Sequence, residues 1–155
     1  MSAKPLVRPA GQLYDEDFAL WTAEMARLLR EGRFSEVDIE HVAEEVEDMG
    51  KRDGREMFSR VELIVQHLLK WEYQPKKRSR SWRRTVAAQQ GRLKRVLADS
   101  PSLRRNLGAS LEEIYGGAVR LASIDTGLPP DSFPARCPYT VEQILDPHFP
   151  PGAVT

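Results

Sequence analysis

FSEVDIEHVAEEVEDMGKRDGREMFSRVELIVQHLLKW, residues 34–71, is the stretch that decides the fold of this 155-residue chain. At about 100° per residue, Val42, Ala43, Val46, Met57, Val61, Ile64 and Leu68 fall within one stripe roughly 100° wide, the pattern of an amphipathic helix. The stripe keeps its phase through Gly50 and Gly54. One helix over residues 35–71 would be about 55 Å long; a break near Gly50 is the alternative, because ordinary globular helices are much shorter. Ser35 stands as N-cap with Asp38 three positions on, and Phe34 and Ile39 occupy the two positions of a hydrophobic staple. Pro75 forces Gln74 out of the helical region, which closes the helix near residues 71–73.

Upstream, residues 1–12 contain two prolines and a glycine with little apolar period, and read as a flexible tail. Asp15 is expected to cap a first helix reaching Arg30, with Phe18, Trp21, Met25, Leu28 and Leu29 on one face and Gly32 as a left-handed end. Downstream, PKKRSRS (residues 75–81) is too polar for a core and reads as an exposed connection. A third helix then runs from Ser81 to about Asp99 with Trp82, Val86, Leu93, Val96 and Leu97 inward. Ser100 and Pro101 form an N-cap and first-turn pair for a fourth helix, whose Leu103, Leu107, Leu111, Ile114, Ala118 and Leu121 recur at three and four. Gly116 and Gly117 each weaken its middle by about 1 kcal/mol relative to alanine unless a neighbouring helix passes close by. Gly127 ends it. Seven prolines in residues 128–152 rule out one long terminal helix. Thr140 and Gln143 predict a capping box, with Tyr139 and Ile144 as its staple, for a short helix over residues 141–145. The expected architecture is all-α: four main helices, a proline-rich C-terminal strap and one short helix. It forms one domain over residues 13–149, with tails at 1–12 and 150–155.

Composition agrees with a globular chain: 41% hydrophobic, 30% charged and no apolar run near 18 residues. No membrane span is expected, and the N-terminal residues lack the apolar core of a secretory signal, so a cytoplasmic location is expected. A lone Cys137 has no cysteine to pair with. Net charge is zero, yet residues 15–62 carry fifteen acids against seven bases, and residues 70–95 ten bases against Glu72 alone. The plainest reading is that an acidic and a basic helix neutralise one another within the fold.

Three groups invite a chemical reading. Glu40, Glu44, Glu45, Glu47 and Asp48 resemble the acidic motifs with which helical nucleotide hydrolases hold Mg²⁺. The spacing departs from E-E-x-x-E, no E-x-x-D follows, and a solvated face explains most of these residues, so neither a metal site nor a cofactor is expected. Asp53, Glu56, Arg60 and His67 lie along one edge of the apolar stripe and read as a buried polar network that fixes helix register. Neither a nucleophile nor a second histidine accompanies His67. Lys76, Lys77, Arg78, Arg80, Arg83 and Arg84 surround Trp82, a composition able to neutralise phosphates and stack a base, or to dock an acidic protein. No phosphate loop, nucleophile elbow or zinc-protease motif occurs, and no catalytic residue is assigned.

LYDEDFALWT, EEVEDMG, HLLKW, RSRSW, SPSL, TGLPPDSFP and CPYTVEQILDPHF together make the chain resemble a bacterial family, domain-of-unknown-function family 29, over residues 13–149. The resemblance implies an all-helical bundle and carries over no activity or catalytic residue. The function expected is therefore a non-catalytic interaction or regulatory protein with a protein partner, antitoxin-like in one form. A nucleic-acid-binding module using residues 76–95 is the alternative, and a metal-dependent nucleotide hydrolase the third.

Overall fold

The computed structural model describes residues 10–154. Six α-helices occur among them: α1 (Ala10–Glu16), α2 (Phe18–Arg30), α3 (Ile39–Tyr73), α4 (Arg80–Asp99), α5 (Leu103–Thr126) and α6 (Val141–Leu145). Short 3-10 turns lie at Phe34–Glu36, Pro75–Lys77 and Pro130–Ser132. The fold is all-α with four long helices, as the periodicity predicts. The chain gathers into two compact units, residues 1–51 and 52–155, whose boundary falls inside α3.

In the first unit, residues 1–9 of the expected tail lie outside the described residues, and residues 10–12 form the start of α1 rather than tail. The single helix expected from Asp15 to Arg30 is two helices. Asp17, not Asp15, is the cap: its carboxylate accepts the Leu20 N–H at 3.0 Å, which stops α1 and starts α2. Trp21, Met25, Leu28 and Val37 form this unit's core, whereas Phe18 and Leu29, expected inside, are exposed. Gly32, at φ 70°, ends α2 as expected, with Arg33 N–H on Leu28 C=O and Gly32 N–H on Leu29 C=O.

The start of α3 differs from the sequence reading. Val37 must be extended to reach the Trp21 core, so residues 34–36 make only a 3-10 turn and α3 begins at Ile39 instead of after Ser35. Phe34 and Ile39 consequently form no buried staple; both are more than 60% exposed. Asp38 occupies the cap position, its C=O accepting Val42 N–H, while its carboxylate takes His41 Nδ1 at 2.7 Å and Trp21 Nε1 at 3.3 Å.

α3 is unbroken through Gly50 and Gly54, and its 35 residues span about 52 Å. It ends at Tyr73, before Pro75. The apolar stripe is buried only in its second half, at Met57, Val61, Ile64 and Leu68; Ala43 and Val46 are exposed.

The core of the second unit joins those four residues to Val65, Leu69, Val86, Leu93, Leu107, Ile114, Ala118 and Ile144. α4 starts at Arg80, one residue earlier than expected, with Ser79 as its cap accepting Trp82 N–H at 3.2 Å. Ser100 does not cap α5. It closes α4, and its hydroxyl donates to Asp53 at 2.8 Å. At Gly117 the Glu62 carboxylate of α3 lies where a Cβ would stand, the close approach that explains this glycine; nothing crowds Gly116. α6 has the full predicted capping box, with Tyr139 and Ile144 buried.

Candidate partner-binding surfaces

Prolines at 147, 150 and 151 leave the strap after α6 short of N–H donors, so its carbonyls need partners from elsewhere. Three side chains supply them. Gln90, 2% exposed, directs Nε2 at the carbonyls of Ile144, Asp146 and Phe149 at 3.2, 2.8 and 3.2 Å. Trp71 Nε1 donates to Pro151 O at 2.9 Å, and Arg83 Nη2 to Pro150 O and Gly152 O at 3.3 and 2.6 Å. The segment expected as a tail from residue 150 is thus packed through Gly152; Thr155 lies outside the described residues.

This arrangement divides the six bases singled out in the sequence. The guanidinium carbons of Arg78 and Arg83 lie 5.0 and 4.6 Å from the Trp71 ring centre, and Arg78 Nε donates to Trp71 O at 2.8 Å. Gly152, at φ 105°, lies against the Arg78 guanidinium: a Cβ there would stand 2.6 Å from Arg78 Nη1. Arg78 and Arg83 therefore serve the strap. Lys76, Lys77, Arg80 and Arg84 are exposed, and the outward face of α4 continues their charge through Arg92, Lys94 and Arg95. Trp82 is half-buried, with Lys70 Nζ 4.8 Å from its ring centre and 3.0 Å from Asp125.

Asp53, Glu56, Arg60 and His67 do not converge on one another as a set. Asp53 holds Ser100. Arg60 donates to Glu56 at 3.2 Å and to Gln89 at 3.0 Å. His67 Nδ1–H donates to the Leu63 carbonyl at 2.9 Å, and burial pushes the imidazole pKa below its ordinary value. Gln89 and Gln90 are the buried polar positions that the sequence reading misses. Gln90 lies in phase with Val86 and Leu93 on the apolar face of α4, a signal of a buried amide with fixed partners.

On α3, Glu40, Glu44, Glu47 and Asp48 are exposed, and Lys51 stands 3.6 and 3.7 Å from Glu47 and Asp48. Glu45 accepts the Tyr14 hydroxyl at 2.6 Å, which pushes the phenol up to about 12. Tyr14 stacks on His41, centres 3.9 Å apart, and the Asp38 hydrogen bond raises the His41 pKa. Among the described residues no three His, Cys, Asp or Glu side chains gather as a metal cluster. Nor is any helix among them long and apolar enough to cross a membrane.

The second unit carries a cleft of about 430 Å³ lined by Glu112, Tyr115, Val119, Asp131 and Phe133, and two smaller ones. One, about 340 Å³, is lined by Leu68, Trp71, Glu72, Arg78, Tyr139, Gln143 and Phe149 with strap prolines, and Tyr139 closes onto Glu72 through a 2.7 Å hydrogen bond. The other, about 310 Å³, has Leu97, Ala98, Pro101 and Leu145 between Lys94 and Arg104.

An acidic helix with exposed apolar residues and an exposed basic helix face sit on an all-α scaffold, a small helical bundle. The chain belongs to the family described as domain of unknown function DUF29, whose model matches residues 13–150. No curated protein and no solved structure matches it.

Proposed function

We propose that this chain is a non-catalytic interaction protein whose first-half α3 face receives a protein partner. One observation carries the reading. Ile39, Val46 and Met49 are each more than 60% exposed on the continuation of a stripe that is core from Met57 onward, and Glu40, Glu44 and Glu47 flank them. Large exposed apolar residues along one side of a helix, flanked by a mainly acidic edge in which Lys51 pairs with Glu47, are what a docking helix presents. The rim selects a basic partner. An antitoxin-like role, in which the acidic face covers the working surface of a basic protein, is the specific form that this charge supports.

A photo-crosslinking residue in place of Val46, in the cells that make the protein, tests the reading. A defined adduct at position 46, absent when the same residue replaces exposed Ala109, is the expected result. Equal labelling at both positions would sink it. The second reading, nucleic-acid binding, draws support from exposed Arg80, Arg84, Arg92, Lys94 and Arg95 on α4.

A further inference from the structure

The apolar cleft at the end of α4 is the complement of the bare α3 stripe. Its floor is Leu97, Ala98, Pro101 and Leu145; Lys94 lines one side with Arg95 exposed beside it, and Arg104, 3.6 Å from Glu142, lines the other. The stripe reverses that pattern: Ile39, Val46 and Met49 form an apolar ridge, and Glu40, Glu44 and Glu47 form an anionic flank at 80–140° from Ile39 on a wheel of about 100° per residue.

The dimensions set how much of the ridge fits. Ridge residues Ile39 to Met49 span about 15 Å of helix, and the α4 residues that line the cleft, Lys94 to Ala98, span about 6 Å, so the cleft receives part of the ridge. A cleft of about 310 Å³ has room for a Val or Met side chain or both. Formal net charge is zero, so two copies meet without overall repulsion and the opposed patches alone set the field between them.

We propose that the occupant of this cleft is the α3 ridge of a second copy of the same chain, with Val46 and Met49 over Leu97, Ala98 and Leu145, and Glu44 and Glu47 facing Lys94 and Arg95. The inference rests on the interaction reading above and names its partner. Each chain carries both halves of the contact, so pairing can be reciprocal or can continue from copy to copy.

Sedimentation velocity on the full chain at low salt, over a concentration series reaching about 100 µM, tests this directly. Self-association is expected, weakening as salt rises, because the patches are exposed and screened. Glu44→Lys/Glu47→Lys and Lys94→Glu/Arg95→Glu should each weaken it by at least about tenfold, since each variant alone meets its own like charge. Mixing the two variants restores opposite charges at both contacts, and the mixture should associate nearly as the wild type does. Circular dichroism melting of each variant keeps lost association separate from lost fold.

Wild-type association with no recovery in the mixture would overturn the assigned contact. A chain that stays monomeric throughout the series would overturn the proposal outright. If the position-46 adduct then formed with another protein, the interaction reading would stand without a second copy; if no specific adduct formed, both would fall.

Discussion

Trp71→Ala should be the most damaging single change at the strap. The indole is 2% exposed, and truncating a buried tryptophan costs about 3–5 kcal/mol. Three contacts push the loss toward the top of that range. The bond to Pro151 O contributes about 1 kcal/mol, and Arg78 and Arg83 over the ring about 0.5–1 kcal/mol each. These terms overlap with burial, so the expected loss is about 5 kcal/mol rather than their sum. Trp71→Phe keeps a ring beneath the guanidiniums and gives up the N–H, and should cost about 1–2 kcal/mol. Trp82→Ala, at a half-buried site, should cost less than half as much as Trp71→Ala. Urea unfolding followed by far-ultraviolet circular dichroism measures all three, with protease cleavage after residue 146 reporting release of the strap. A Trp71→Ala loss under about 2 kcal/mol, or one matched by Trp82→Ala, would refute the clamp.

Gly116→Ala should raise stability by up to about 1 kcal/mol, and Gly117→Ala by less, because the end of the flexible Glu62 side chain must swing aside; thermal melts of the two variants decide. The histidines should titrate in opposite directions from about 6.5 by proton NMR, His41 above it and His67 below it. The raised His41 pKa adds stability that is complete below about pH 6.5 and lost as pH climbs through its folded value. The lowered His67 pKa adds stability present above about pH 6.5 and lost as pH falls through its folded value. Asp38→Asn should bring the His41 titration down; no change would sever that pair. If residues 76–84 bind duplex DNA, Arg78 and Arg83 are held by Trp71 and the strap, so the salt slope should fall short of the roughly −5.4 that six phosphate contacts would give. Filter binding over a salt series giving a slope near −5.4 would mean that all six reach phosphate.

Periodicity and end signals made most of the second unit legible. The end of α3 before Pro75, Gly127 at φ 73° and the Thr140 capping box each follow from a local rule that no tertiary contact overrides, whereas periodicity left a break of α3 near Gly50 open. The errors at Asp15, Ser35 and Ser100 have separate causes. Asp17 accepts the Leu20 N–H and splits the expected helix in two, and Val37 is drawn into the Trp21 core. Ser100 was committed to Asp53 instead. Periodicity likewise placed Val46 on the same stripe as Met57. It could not show that Val42 is half-buried against the Trp21 core while Val46 is exposed, because burial depends on what other segments reach the stripe.

The basic segment shows how a charge run can change meaning through a distant part of the chain. Read locally, KKRSRSWRR is six bases around a tryptophan, a phosphate-binding composition. Residues 147–151 supply three prolines, none with an N–H, and carbonyls that must still be satisfied where the strap is held against the core. Arginine suits that task because its guanidinium offers several donors in a fixed plane and stacks on an aromatic face while doing so. Arg83 does both at once, donating to Pro150 and Gly152 while lying over Trp71. Lysine, a single rotating ammonium, would reproduce the charge without the geometry, so Arg83→Lys should loosen the strap although net charge is unchanged. A composition count treats the two residues alike. The strap separates them, and the bases left exposed on α4 are those from which any surface role has to be built.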